Sequence, residues 1–75
     1  MNESKVSPIQ KKLGLRVKER RLEIGMTQEE LGFKTGLDRT YISGIERGIR
    51  NPALKNLSKL AKALKVSIDQ LMKFE

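Results

Sequence analysis

Cysteine and histidine are absent from this sequence, and their absence excludes several kinds of site. Without cysteine the chain can form no disulfide and no thiolate metal site. Without histidine, and with acidic residues that are not clustered, it lacks the usual catalytic bases and metal ligands. We therefore expect no enzyme, no bound metal and no cofactor.

Long apolar runs are also missing, so the sequence offers no candidate for a membrane span or a signal peptide. We expect a cytoplasmic protein without membrane contact. No repeat, low-complexity segment or interdomain linker is visible. A chain of 75 residues allows one domain with a thin core, which favours stabilisation by self-association.

Acidic residues are few compared with basic ones. The sequence has 16 Lys and Arg against 9 Asp and Glu, which gives a formal net charge of +7. An excess of this size on a small domain favours an anionic partner such as nucleic acid. Because solubility alone could also account for the charge, the motifs must decide.

The clearest motif lies at residues 27–48 and predicts two short helices joined by a tight turn. Thr27 and Glu30 have the spacing of a capping box at the start of the first helix. Gly36 provides the left-handed residue that ends it. Asp38 then offers an N-cap for the second helix.

The second of these helices, over residues 39–47, has two different faces. One face is apolar apart from Glu46 and is expected to pack on the core. The other is small, polar and cationic, and consists of Arg39, Thr40, Ser43, Gly44 and Arg47. Such a face can enter the major groove of DNA and reach base edges. An ordinary solvated face is the alternative, but the preceding capped helix and turn favour DNA.

These residues resemble the lambda-repressor-like helix-turn-helix family. The matching positions are Gln28-Glu29-Glu30-Leu31, Gly36, Ile42-Ser43, Ile45-Glu46 and Gly48. The run at 38–48, followed by Arg50-Asn51-Pro52, is similar more narrowly to the controller proteins of restriction–modification systems. The resemblance covers residues 13–71. It implies one compact all-α domain of five helices, with helices 2 and 3 as the helix-turn-helix.

The N-terminal part of the chain divides into a tail and the first helix. We expect residues 1–6 to be a loose tail and residues 7–75 to form the DNA-binding domain. Ser7 and Gln10 have the spacing of a capping box. It predicts a first helix that ends at about Ile24.

Two further helices are predicted after the helix-turn-helix. A stripe at helical spacing predicts a helix over about 53–64 with a core-facing side. The stripe consists of Leu54, Leu57, Leu60, Ala61 and Leu64. Ser67 and Gln70 form another capping box and start a short final helix.

A cationic side chain lies on the apolar stripe of the first helix, where burial would require a partner for its charge. Arg21 shares a face with Leu13, Val17 and Ile24. The family has an ion pair at the positions of Arg21 and Glu46, so the resemblance implies a partly buried pair between the first and third helices. Two unconnected surface charges are the alternative.

DNA contacts are assigned by side-chain chemistry and by the resemblance. We expect Arg39 to read a guanine in each half-site and Thr40 to contact a thymine methyl or a base-edge acceptor. Gly44 would let the helix approach the groove closely. Backbone contacts are expected from Tyr41 and Ser43, and the resemblance implies further ones from Arg16, Gln28, Arg50 and Asn51.

The end of the chain carries an apolar cluster. Leu71, Met72 and Phe74 are more apolar surface than a terminus normally shows. We expect them to form a two-fold homodimer contact. Fraying or folding back onto the core is the alternative.

Phe33 stands where the family usually has a polar residue. With Glu29 and Glu30 it could form the patch through which related activators contact RNA polymerase from this helix. A single exposed aromatic side chain with no function is the alternative.

Together these patterns predict a homodimer that binds a palindromic duplex operator and regulates transcription. The narrower resemblance implies the controller of a restriction–modification operon, which activates at one occupancy and represses at a higher one. A phage- or host-type repressor of the same fold would use the same residues. An antitoxin commonly adds a toxin-binding segment, for which the short tails leave little room. An RNA-binding or protein-only module would have no sequence preference on duplex DNA.

Overall fold

The computed structural model of the protein describes residues 7–73, and within that range it contains five helices and no strand. The helices are α1 (Pro8–Glu23), α2 (Gln28–Thr35), α3 (Arg39–Glu46), α4 (Leu54–Ala63) and α5 (Ile68–Leu71). The prediction of an all-α, five-helix fold is confirmed. Predictions about residues 1–6 and about Phe74 fall outside the described residues.

The core is formed where all five helices meet. Helix α3 packs on α1 and α2, while α4 packs on α2 and α5. The buried apolar residues are Leu13, Val17, Leu31, Ile42, Ile45, Leu57, Leu60, Ala61, Leu64 and Leu71. Because every helix contributes at least one of them, no helix is an independent appendage.

The turn between α2 and α3 is as compact as the sequence predicts. The Thr27 side chain accepts from the backbone N–H of Glu30 at 3.0 Å, and the Glu30 side chain accepts from the N–H of Thr27 at 2.8 Å. Gly36 has φ = 75° at the end of α2. A Cβ at Gly32 would lie 2.7 Å from the carbonyl oxygen of Leu37. The turn therefore packs directly on the α2 backbone.

Two predicted caps differ from expectation. Ser7 accepts from the N–H of Gln10, but the Gln10 side chain does not complete the box. It donates instead to the carbonyl oxygen of Gly48 at 3.1 Å and ties the start of α1 to the end of α3. Asp38 is the N-cap residue of α3, yet its side chain makes no capping hydrogen bond.

Two leucines lie elsewhere than predicted. Leu54 was expected in the core but is 72% exposed, because it is the first residue of α4 and lies at the edge of the apolar stripe. Leu71 was expected at a dimer contact, and that expectation is wrong: its side chain is 0% exposed and belongs to the chain's own core. The short helix α5 folds back and closes that core. Met72 remains partly exposed.

Within residues 7–73, no helix combines the length and the apolar character needed to cross a bilayer.

Candidate nucleic-acid interface

A buried ion pair fixes the third helix against the first. Arg21 donates from Nε to Glu46 Oε2 at 2.6 Å and from Nη2 to Oε1 at 3.0 Å. Its Nη1 donates to the carbonyl oxygen of Met26 at 2.8 Å. The hydrogen bonds to Glu46 raise the pKa of Arg21 further above its already high usual value. The predicted pair is therefore present, in the bidentate form that best restricts orientation.

Gln28 joins this pair from the start of α2. Its Nε2 donates to Glu46 Oε1 at 3.0 Å, so the amide is held by a carboxylate whose own position is fixed. One N–H of the amide is used in this contact, and the other remains for a ligand. The first turn of α2 carries the positive end of the helix dipole. Gln28 is thus oriented in a way that suits its expected contact with an anion.

The start of α3 is open to solvent and cationic. Arg39 and Thr40 are exposed, and Ser43, one turn further along, is partly exposed. The opposite side of the helix is held in the core by Ile42 and Ile45, both almost wholly buried. The helix therefore presents its N-terminal polar face outward with little freedom to rotate.

Gly44 does not lie on the open surface. It is buried beneath the Arg50 side chain. A Cβ added at Gly44 would lie only 2.5 Å from Cγ of Arg50. The backbone N–H groups of Ile49 and Arg50 also donate to the Gly44 carbonyl oxygen, at 3.0 and 3.1 Å. The expected close approach of Gly44 to a DNA groove is thus wrong for this structure. The glycine instead allows the Arg50 stem to lie on α3.

Tyr41 and Arg50 form a second cluster beside the exposed polar face of α3. The guanidinium carbon of Arg50 lies 5.8 Å from the Tyr41 ring centroid, a distance typical of a cation–π contact. The Tyr41 hydroxyl accepts from Nδ2 of Asn56 at 3.1 Å. Arg50 itself remains exposed. The loop after α3 and the first turn of α4 therefore each contact α3 through Tyr41.

The other residues expected to contact DNA lie around this face without being joined to it by the contacts above. Arg16 is partly exposed on α1, and Asn51 is exposed in the loop before α4. Among residues 7–73, no group of three or more His, Cys, Asp or Glu side chains could hold a metal ion.

Sequence reasoning missed two positions that matter for this arrangement. Asn56 holds the Tyr41 hydroxyl, and its only signal is a polar residue beside the apolar stripe of α4. Gly14 is buried where α1 crosses α3, and a Cβ there would meet the carbonyl oxygens of Ile45 and Glu46. In the sequence, only the presence of a glycine inside a predicted helix points to this position. Such a glycine lowers helix stability by about 1 kcal/mol relative to Ala, which suggests a packing role.

Phe33 lies on α2 and is 90% exposed. Glu29, Glu30 and Lys34 line a shallow hollow with it. The three residues named for a polymerase contact therefore do form one surface, which is called the Phe33 patch below.

The comparisons with known proteins agree with this geometry. A family model described as Helix-turn-helix matches residues 17–71. The chain belongs to this helix-turn-helix family. Its relatives include the control protein C.BamHI of Bacillus amyloliquefaciens, which is 48% identical over 62 residues, 81% of this chain and 76% of that protein.

Two solved structures are similar to this helix-turn-helix chain over most of its length. The crystal structure of the restriction–modification controller protein C.AhdI from Aeromonas hydrophila has a TM-score of 0.81 at 47% identity, over 83% of this chain and 94% of that one. The structure of C.Esp1396I bound to a 19 base pair DNA duplex has a TM-score of 0.77 at 52% identity, over 81% of each chain. The predicted resemblance to controller proteins is confirmed, and this family consists of regulators and not enzymes.

Proposed function

We propose that this chain binds duplex DNA sequence-specifically and acts as the controller of a restriction–modification operon. The observation that carries the proposal is the rigid presentation of Arg39 and Thr40, exposed at the start of a helix that a buried ion pair fixes in place. The N-terminal residues of a recognition helix are those that reach base edges in this motif. The 52% identity to C.Esp1396I, a protein solved on DNA, supports the same interpretation.

The proposed division of labour separates base reading from backbone positioning. The Arg39 fork can donate two hydrogen bonds to guanine O6 and N7, and Thr40 can contact a neighbouring base. Gln28 holds a phosphate with the N–H that Glu46 leaves free. The remaining backbone contacts come from Arg16, Tyr41, Ser43, Arg50 and Asn51. These contacts set register and orientation but carry little sequence information.

We infer further that the functional unit is a homodimer on a palindromic operator. Two copies related by a dyad would place two recognition helices about one turn of duplex apart. Met72 is the described side chain that supports an interface near α5, because it is partly exposed directly after buried Leu71. Phe74 is part of the same proposal. A small core is a further reason for stabilisation by pairing.

The Phe33 patch is proposed as the contact with RNA polymerase. An aromatic side chain that is 90% exposed beside two carboxylates covers no core of its own chain. Exposed apolar surface rimmed by polar groups is typical of protein–protein contacts. Phe33→Ala should leave DNA affinity unchanged and reduce activated transcription in a reconstituted system. Loss of DNA affinity in this variant would contradict the assignment.

Selection of bound duplexes from a randomised pool tests the function, and a palindromic consensus is expected. Arg39→Ala should then weaken binding to that consensus by about 1–3 kcal/mol and relax one base position per half-site. Gln28→Ala should weaken consensus and scrambled duplexes alike. Lys18→Ala, which removes one exposed cation from α1, is the matched control.

All affinities must be compared at one salt concentration, since salt changes the affinity of the protein for every duplex. Equal losses for Arg39→Ala on both duplexes would make Arg39 a phosphate contact. Binding without any preferred sequence would overturn the proposed function. A consensus found only outside restriction–modification operons would indicate a repressor of the same fold.

A further inference from the structure

Asn56 makes a contact between α4 and α3 that neither core packing nor base reading requires. It lies in the first turn of α4, and its Nδ2 reaches the Tyr41 hydroxyl on α3 at 3.1 Å. Asn56 and Tyr41 are both partly buried. The contact therefore forms at the edge of the core, where one side of the phenol is protein and the other is solvent.

The direction of this hydrogen bond determines where the phenol proton can go. A tyrosine hydroxyl has one proton and can also accept. When the amide N–H of Asn56 donates to the oxygen, the tyrosine proton is free and points away from the amide. A hydroxyl that accepts one hydrogen bond is also a stronger donor in the next, because the two bonds polarise each other.

The surroundings of Tyr41 make its open side attractive to an anion. Arg50 lies over the ring, with its stem on Gly44 and its charged end exposed. The ring itself packs against the core, so its position is restricted. A phosphate that approached the hydroxyl would meet a directed O–H donor, with a guanidinium 5.8 Å from the centroid of the same ring.

We propose that Asn56 is a positioning residue for DNA binding, which orients the Tyr41 hydroxyl by donating to it and so directs its proton towards a DNA phosphate. This inference rests on the proposed function, because the phosphate belongs to the bound duplex. Asn56 itself need not touch DNA. Its identity matters because an acceptor in its place would take the tyrosine proton and leave the phosphate with an oxygen that repels it.

A double-mutant cycle on the full-length chain and its consensus duplex tests this. Tyr41→Phe removes the hydroxyl, and Asn56→Leu removes the donor with little change in volume. Each should weaken binding roughly tenfold, the size expected of one hydrogen bond to a charged group. In the Asn56→Leu background, Tyr41→Phe should change the dissociation constant less than about twofold. Ser58→Ala, an exposed change on the same helix, should leave it unaltered.

Thermal unfolding of the same proteins separates positioning from folding. If Asn56→Leu unfolds, Asn56→Asp keeps the side-chain shape but can only accept. This substitution is made both in the wild-type protein and in the Tyr41→Phe variant. The added negative charge should weaken DNA binding equally in both backgrounds. Beyond that shared effect, Asn56→Asp should weaken binding only in the protein that keeps the Tyr41 hydroxyl. Non-additive losses in a folded protein support the proposal.

Additive losses would overturn it, as would full affinity in Asn56→Asp. If the wild-type protein binds its consensus and Arg39→Ala relaxes one base, but the cycle is additive, only the role of Asn56 fails. If the wild-type protein has no consensus duplex, the proposed function fails and this inference fails with it.

Discussion

Arg20 donates from Nε to the carbonyl oxygen of Leu64 at 2.9 Å and so joins α1 to the end of α4. The last turn of α4 closes through the N–H of Val66, which donates to the carbonyl oxygen of Ala61 at 3.0 Å. Between them Lys65 has φ = 61°, the one non-glycine residue of the described chain with positive φ. A lysine thus occupies the left-handed position where a helix usually ends in glycine.

Lys65→Gly should therefore stabilise the fold. A left-handed conformation costs a residue with a Cβ about 1–2 kcal/mol, and the greater freedom of glycine in the unfolded chain offsets part of that gain. We expect the free energy of unfolding in urea to rise by about 0.5–1 kcal/mol. Lys62→Gly, inside α4, is the control and should lower it by about 1 kcal/mol. A loss of stability in Lys65→Gly would contradict the prediction.

Arg21 and Glu46 should behave as one unit. Arg21→Met and Glu46→Gln each leave a buried group without its partner, which costs about 3–5 kcal/mol. The double variant should cost clearly less than the sum, because it strands neither charge. Urea melts of the four proteins give the coupling. Strictly additive losses would show that the contact has no energetic role.

Gly14 gives a test in which two effects predict opposite signs. Helix propensity alone predicts that Gly14→Ala gains about 1 kcal/mol. The structure predicts a net loss of about 1–3 kcal/mol, because the new Cβ would meet the backbone of α3 and force the helices apart. Glu19→Ala, on the exposed side of α1, controls for the alanine itself. A stabilised Gly14→Ala protein would mean that the helices lie further apart than described.

Substitutions at the neighbouring residues Leu71 and Met72 should affect different properties, the first stability and the second dimer formation. Leu71→Ala opens a cavity in the core and should cost about 2–5 kcal/mol of stability. Met72→Asp should leave the monomer folded but weaken the proposed dimer. Sedimentation at micromolar concentration and thermal unfolding distinguish the two outcomes. An unchanged mass for a folded Met72→Asp protein would remove this residue from the interface.

The parts of the fold that local chemistry determines were predictable from the sequence. The capping boxes at Thr27 and Ser67 form with both hydrogen bonds, because their partners lie three residues apart. The apolar stripe of α1 also placed Arg21 on the inner face. Its pairing with Glu46 required the family resemblance, since nothing local brings together residues 25 positions apart.

The features that sequence reasoning missed depend on contacts that neither helical periodicity nor capping spacing predicts. Gln10 leaves its predicted cap because the Gly48 carbonyl oxygen is within reach, and Gly44 is covered because Arg50 returns over it. Leu71 lies near the last residue of the sequence, which suggested an exposed position, but its side chain packs in the core with those of the other helices. Periodicity assigns a residue to a face, and only the packing shows what covers that face.

The exposure of Arg39 and Thr40 has an evolutionary consequence. Neither side chain covers any part of the core, whereas Glu46, on the same helix, serves the ion pair and Gln28 at once. Under the proposed function, a substitution at either of the first two positions changes which bases are read and leaves the contacts of the core intact. The operator preference can therefore change by substitution at two exposed positions, whereas a change at Glu46 would break its contacts with both Arg21 and Gln28.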